Sequence, residues 1–162
     1  GLSFSDFGEW LNRASNNFYA GGIPTPVAQL PSPGANITAT YNGGYLEAHD
    51  NGTFAGMPLS SGTDSGGVSV TANFGPHTVS TQFTSGILAP SSSASSAPGT
   101  IGPDGSYSVF ASNFSNFAPI QIRMKGGFFG PSDPSQAPPE TGGTFTGTLG
   151  TAGMSGSYGA HR

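Results

Sequence analysis

The chain has 162 residues, of which only 7% are charged, and a net charge of −4. That length suits one domain with its own core. The only Lys and Arg, namely Arg13, Arg123, Lys125 and Arg162, are too few to follow a phosphate backbone or an anionic lipid surface, which excludes nucleic-acid binding.

Cysteine is absent, so there is no disulfide framework, thiolate metal site or cysteine nucleophile, and a lipid-attachment cysteine would lie outside this sequence. The 27 Gly and 14 Pro punctuate the chain often, and 34% of residues are hydrophobic. This combination predicts many short strands and tight turns around a real core. No apolar run reaches the length of a membrane-crossing helix.

In chain order, Phe7, Leu11, Ala14 and Phe18 fall at helical spacing, but Gly8 and several Asn weaken a helix. We therefore read an extended segment around Phe4–Leu11. Residues 21–34 contain Pro24, Pro26, Pro31 and Pro33 and read as a crossing loop. Residues 1–35 thus form an N-terminal arm, and residues 36–162 the main domain.

Ile37, Ala39 and Tyr41 alternate up to Asn42-Gly43-Gly44, and Tyr45 to His49 follow. Asn-Gly between alternating runs predicts a hairpin turn. Asp50-Asn51-Gly52 predicts another turn, with a short edge segment over Thr53–Pro58. Val68, Val70, Ala72 and Phe74 form a strand; Gly75-Pro76 turns the chain; Val79, Thr81 and Phe83 return it. Residues 91–99 are a low-complexity loop. Pro103-Asp104-Gly105 is a turn before a strand carrying Tyr107, Val109 and Ala111. Residues 118–129, 141–149 and 153–161 complete the set, with Ile120, Ile122 and Met124, then Met154, Gly156, Tyr158 and Ala160, on single faces. The sum is an all-β domain: about eight antiparallel strands in up-and-down order, closed as a barrel whose interior side chains can fill.

The last third carries Gly126-Gly127-Phe128-Phe129-Gly130-Pro131, Glu140, Gly142-Gly143-Thr144-Phe145 and a Gly159-Ala160-His161-Arg162 ending. These blocks resemble the C-terminal barrel of transferrin-binding-protein-like and factor H-binding-protein-like bacterial surface (lipo)proteins. Phe7-Gly8-Glu9-Trp10, Tyr19-Ala20-Gly21-Gly22 and Tyr41-x-Gly43 are similar as well. The resemblance implies a non-enzymatic module on the outer surface of a Gram-negative bacterium, or secreted from it, that binds a host or nutrient-carrier macromolecule or haem. It also implies that Gly126, Gly127, Phe128, Phe129, Gly130, Pro131, Gly142, Gly143 and Phe145 are structural. The competing expectation is a structural or adhesive subunit that self-assembles in a surface layer or appendage, which the low charge suits equally.

Catalytic chemistry has little support. Gly62-Thr63-Asp64-Ser65-Gly66-Gly67 is similar to a serine-protease nucleophile loop, but a triad needs a base and an orienting carboxylate. The only upstream histidine, His49, lies across one hairpin, so we read 62–67 as a glycine-rich loop. Among the acids, nothing in the spacing pairs two carboxylates. His49, His77 and His161 show no metal-ligand spacing, and no cofactor is expected on that ground. His49 and His77 read as exposed loop histidines, and the family resemblance makes them the candidates for haem contact. Phe114 and Phe117, in an Asn/Ser-rich connection, are the candidates for an exposed recognition patch.

Overall fold

The computed structural model of the chain describes residues 1–12, 15–88, 98–115 and 118–162. The chain begins with two strands, β1 (Ser5–Asn12) and β2 (Ser15–Gly22), followed by a short 3-10 turn at Val27–Gln29. Then come β3 (Thr38–His49), β4 (Gly52–Phe54), β5 (Met57–Leu59), β6 (Gly62–Asn73), β7 (Thr78–Phe83) and β8 (Gly99–Ile101). β9 (Tyr107–Ser115), β10 (Ala118–Phe129), β11 (Glu140–Leu149) and β12 (Ala152–His161) end it. Eight strands close a barrel in the order β3-β6-β7-β8-β9-β10-β11-β12, and β12 returns to β3. Each neighbouring pair is antiparallel, with the small β4–β5 hairpin inserted between β3 and β6. Closure removes the exposed edges that an open sheet would present.

The barrel is set by alternation. Along β10, Ile120, Ile122 and Met124 are buried, while Gln121, Arg123 and Lys125 between them are exposed. Two sets of rings fill the inside. Phe128 lies 6.0 Å from Tyr41, 5.1 Å from Phe74 and 5.4 Å from Tyr107, centroid to centroid. Tyr45, Phe83 and Phe145 form the other set, at 5.2 to 6.2 Å and edge to face, an arrangement that suits the ring quadrupoles. Val68, Val70, Ile122, Met124 and Leu149 belong to the same core. The expectation of a hydrocarbon-filled interior holds at these positions.

Two hairpin readings need correction. Asn42-Gly43-Gly44 is not a turn but the middle of the continuous strand β3. A Cβ on Gly43 would overlap the Gly159 carbonyl and Ala160 of neighbouring β12, so glycine serves close strand approach here. Likewise, 62–67 is not a loop: it is the first half of β6, paired with residues 44–49 of β3. The eighth barrel strand is instead the three-residue β8.

The Gly-Phe blocks sit in register, Gly126 opposite Gly143 and Gly127 opposite Gly142. Beside this bare stretch runs a hydroxyl relay. Tyr158 donates to Tyr107 at 2.8 Å, Tyr107 meets Thr141 at 2.6 Å, and Thr141 donates to the Gly127 carbonyl at 2.9 Å. On the next face, a Cβ on Gly156 would strike the Phe145 ring.

The N-terminal hairpin lies against the outer face of β11 and β12. Phe7 packs over Gly159, and the Ser157 hydroxyl donates to the Gly8 carbonyl at 3.0 Å. The carboxylate of Glu140 clamps the chain start. It accepts from the Ser3 amide, the Phe4 amide at 3.0 Å, the Ser5 amide at 2.8 Å and the Ser5 hydroxyl at 2.7 Å. Burial pushes this carboxyl up, but the amide and hydroxyl donors outweigh it and hold it below the ordinary range.

Candidate functional site

With the interior filled, chemistry is left to the two ends. The strand register sorts the loops. Thr38 pairs with Asn73 and Asn73 with Thr78, so the β6–β7 turn with His77 lies where β3 begins. His49 pairs with Gly62 and Met154, so it lies at the opposite end, with the β4–β5 hairpin and the β11–β12 turn.

At the His49 end the polar groups are engaged with one another. Tyr45, Glu47 and His49 follow on the inward face of β3. His49 Nδ1 is 3.0 Å from Glu47 Oε1, and Nε2 is 3.1 Å from the Ser60 carbonyl. A carbonyl only accepts, so Nε2 donates to Ser60 and Nδ1 is left facing the Glu47 carboxyl. Glu47 Oε2 is buried and has no partner among the described residues. Burial pushes the Glu47 carboxyl up against the lowering effect of His49, with Asp64 adding to the rise. Asp64 stands opposite Glu47 on β6 and accepts from the Ile87 amide at 2.6 Å. The Tyr45 hydroxyl donates to the Ser85 carbonyl at 3.2 Å and accepts from the Leu88 amide at 3.3 Å. These bonds fasten the segment after β7 to β3 and β6. Among the described residues, no group of three or more His, Cys, Asp or Glu could hold a metal ion.

At the opposite end the crossing segment spans the rim. It is anchored by Thr25, whose amide donates to the Phe128 carbonyl at 2.9 Å and whose hydroxyl donates to the Gly130 carbonyl at 2.7 Å. Gln29 Oε1 accepts from the Ser132 amide at 3.1 Å. Between this segment and the barrel rim lies a cavity of about 380 Å³. Val27 and Leu30 form its roof, Phe74 and Ile101 lie on the barrel side, and Pro103 and Pro134 stand at the sides. His77 also lines it, with a left-handed φ of 55°. For a non-glycine residue this conformation costs energy and is held by its surroundings. Here the His77 carbonyl accepts from the Ile101 amide at 2.9 Å.

The sequence-derived candidates are therefore not brought together. His49 is not the exposed loop histidine expected: its side chain is 7% exposed and faces inward. Burial follows from its phase on β3, two residues past Glu47. His77 is in the expected turn, half-buried against the cavity and at the other end of the barrel. The Phe114 side chain and all of Phe117 lie outside the described residues. Sequence reading missed the Glu47–Asp64 pairing because Asp64 was placed in a turn. It also missed the cavity, whose trace is the spacing of Val27 and Leu30 among four prolines of the crossing segment.

No protein-family model and no curated protein matches the chain. Solved structures do. The isotype 1 transferrin binding protein B of serogroup B Neisseria meningitidis superposes with a TM-score of 0.70 at 20% identity, over 99% of this chain and 32% of that one. Transferrin binding protein B of Haemophilus parasuis Hp5 gives 0.70 at 14% identity, over 99% and 33%. A surface lipoprotein gives 0.64 at 15% identity, over 99% and 76%. The protein has the closed barrel fold found in transferrin binding proteins B. It spans about a third of the length of these two transferrin binding proteins.

Proposed function

We propose that the chain is a non-enzymatic bacterial surface or secreted module that binds a host or nutrient-carrier macromolecule through its end loops. The observation that carries this reading is the barrel fold combined with a ring-filled interior, which leaves recognition to the ends and the outer wall. The outward positions of β6 and β10 include Ser69, Thr71, Arg123 and Lys125, as suits a wall that faces water. Among the described residues, no helix is long and apolar enough to cross a membrane.

Haem is the small ligand to test beside a protein. Both ring nitrogens of His49 are already engaged, so His77, beside the cavity, is the better placed contact. The test is biolayer interferometry of the immobilised protein against apo- and iron-loaded transferrin and haemoglobin. A haemin titration followed at the Soret band accompanies it. Saturable binding to one of these supports the reading. No binding to any, with ordered concentration-dependent assembly in light scattering, would instead make the chain a structural subunit of a surface layer.

A further inference from the structure

We propose that the cavity under the crossing segment receives a large apolar side chain from an extended segment of a protein partner, and that Lys or Arg on either side of it pair with Asp104 and Asp133. This rests on the reading of the chain as a macromolecule-binding module and names the chemistry its partner presents. The cavity, at about 380 Å³, falls in the range of roughly 300–1,000 Å³ typical of pre-formed binding sites. The Thr25 and Gln29 bonds fasten the crossing segment beside it, and the His77–Ile101 bond fixes the turn that lines it. Val27 on its roof is 55% exposed, and Ile23, just before the anchor, is 66% exposed. An apolar partner group covering them would remove surface that costs about 25 cal/mol per Å² in water.

Charge supplies the specificity. Among the described residues, the lining holds no Lys or Arg. Asp104 follows the lining Pro103, and Asp133 precedes the lining Pro134, so each acid is the chain neighbour of a lining residue. Each is exposed, and each is held below the ordinary carboxylate range by the hydroxyl and amide of a serine two residues on, Ser106 and Ser135. Both are ionised at neutral pH. Two anions next to different lining residues suit a chain with a cation on each side of its anchor better than a compact molecule with one charge.

The experiment is fluorescence anisotropy of the intact protein with two labelled capped peptides, Lys-Phe-Leu-Lys and Glu-Phe-Leu-Glu, at low and high salt. The basic peptide is expected to bind at least about tenfold more tightly, with the gap closing as salt rises. In Asp104→Asn/Asp133→Asn the preference falls to within about twofold, because Asn keeps the acceptor each turn uses but not its charge. Val27→Ser, at an exposed site, weakens both peptides. The inference is overturned if neither peptide binds, if both bind alike, or if the double variant keeps the preference. Saturable transferrin or haemoglobin binding beside a negative peptide result sinks this inference alone. A positive peptide result with neither carrier bound leaves it standing and removes those carriers as partners.

Discussion

At one end of the barrel, Tyr45, Glu47, His49 and Asp64 bond to one another and to backbone, and tie down the segment that follows β7. At the other end, the crossing segment is anchored by Thr25 and Gln29 at its edges and left hollow between them, with Val27, Leu30 and His77 around the hollow. One spends its polar groups on closure, and the other keeps an apolar recess with charges beside it. If the open end is the binding end, as proposed, the presence of ionisable residues is a poor guide to where such a barrel binds. Groups that already have partners are unavailable, whereas exposed apolar side chains such as Val27 still have surface to bury.

The variants that test this contrast most strongly lie between the ends. Phe145→Ala should cost about 3–5 kcal/mol in denaturant unfolding, since it empties the centre of one ring set. Val27→Ser at the open end should stay within about 0.5 kcal/mol. A cost below about 1 kcal/mol for Phe145→Ala would mean that the interior is not filled as described. Next comes Gly156→Ala, expected to lose about 1–3 kcal/mol because its methyl meets the Phe145 ring. Thermal melting should show a clear drop.

Glu140→Gln should follow, with a loss of about 1–3 kcal/mol, because an amide accepts more weakly than the carboxylate that holds three amides and a hydroxyl. Hydrogen exchange should quicken at the Phe7 and Gly8 amides while β10 and β11 stay protected. The pH dependence has a definite sign. Glu140 is held below its ordinary value when folded, so its contribution is present above that value and fades as pH falls through the folded one. Wild type should therefore release its N-terminal hairpin in acid, and Glu140→Gln should remove that acid step. Glu47 gives the opposite and smallest effect. Its folded carboxyl is raised, so the folded state holds its proton more tightly, and stability falls as pH rises through its titration. Glu47→Gln should flatten that slope with little change at low pH, whereas a steeper slope would show that Glu47 is ionised when folded.

Much of the barrel was legible in the sequence, and the reasons are local. Ile120, Ile122 and Met124 along β10, and Met154, Tyr158 and Ala160 along β12, keep to even spacing for long enough that period two stands out. β8 has three residues, too few to show any period. Asn42-Gly43-Gly44 carries the signature of a hairpin, but glycine that turns a chain and glycine that lets two backbones approach look the same in one sequence. The same ambiguity hid Asp64 in 62–67, and with it the partner of Glu47. The open cavity was the least legible feature. It arises where the crossing segment meets two distant turns, at Pro103 and Pro134, and only the closed barrel brings those together.

Methyl NMR is the most direct measurement of where this protein binds. The interior carries reporters in Val68, Val70, Ile122 and Leu149, and the open end carries them in Val27, Leu30 and Ile101. On titration with the basic peptide, and separately with haemin, shifts confined to Val27, Leu30 and Ile101 are expected, with the interior methyls unmoved. Shifts spread through Val70, Ile122 and Leu149 would show a ligand entering the barrel and would contradict the account.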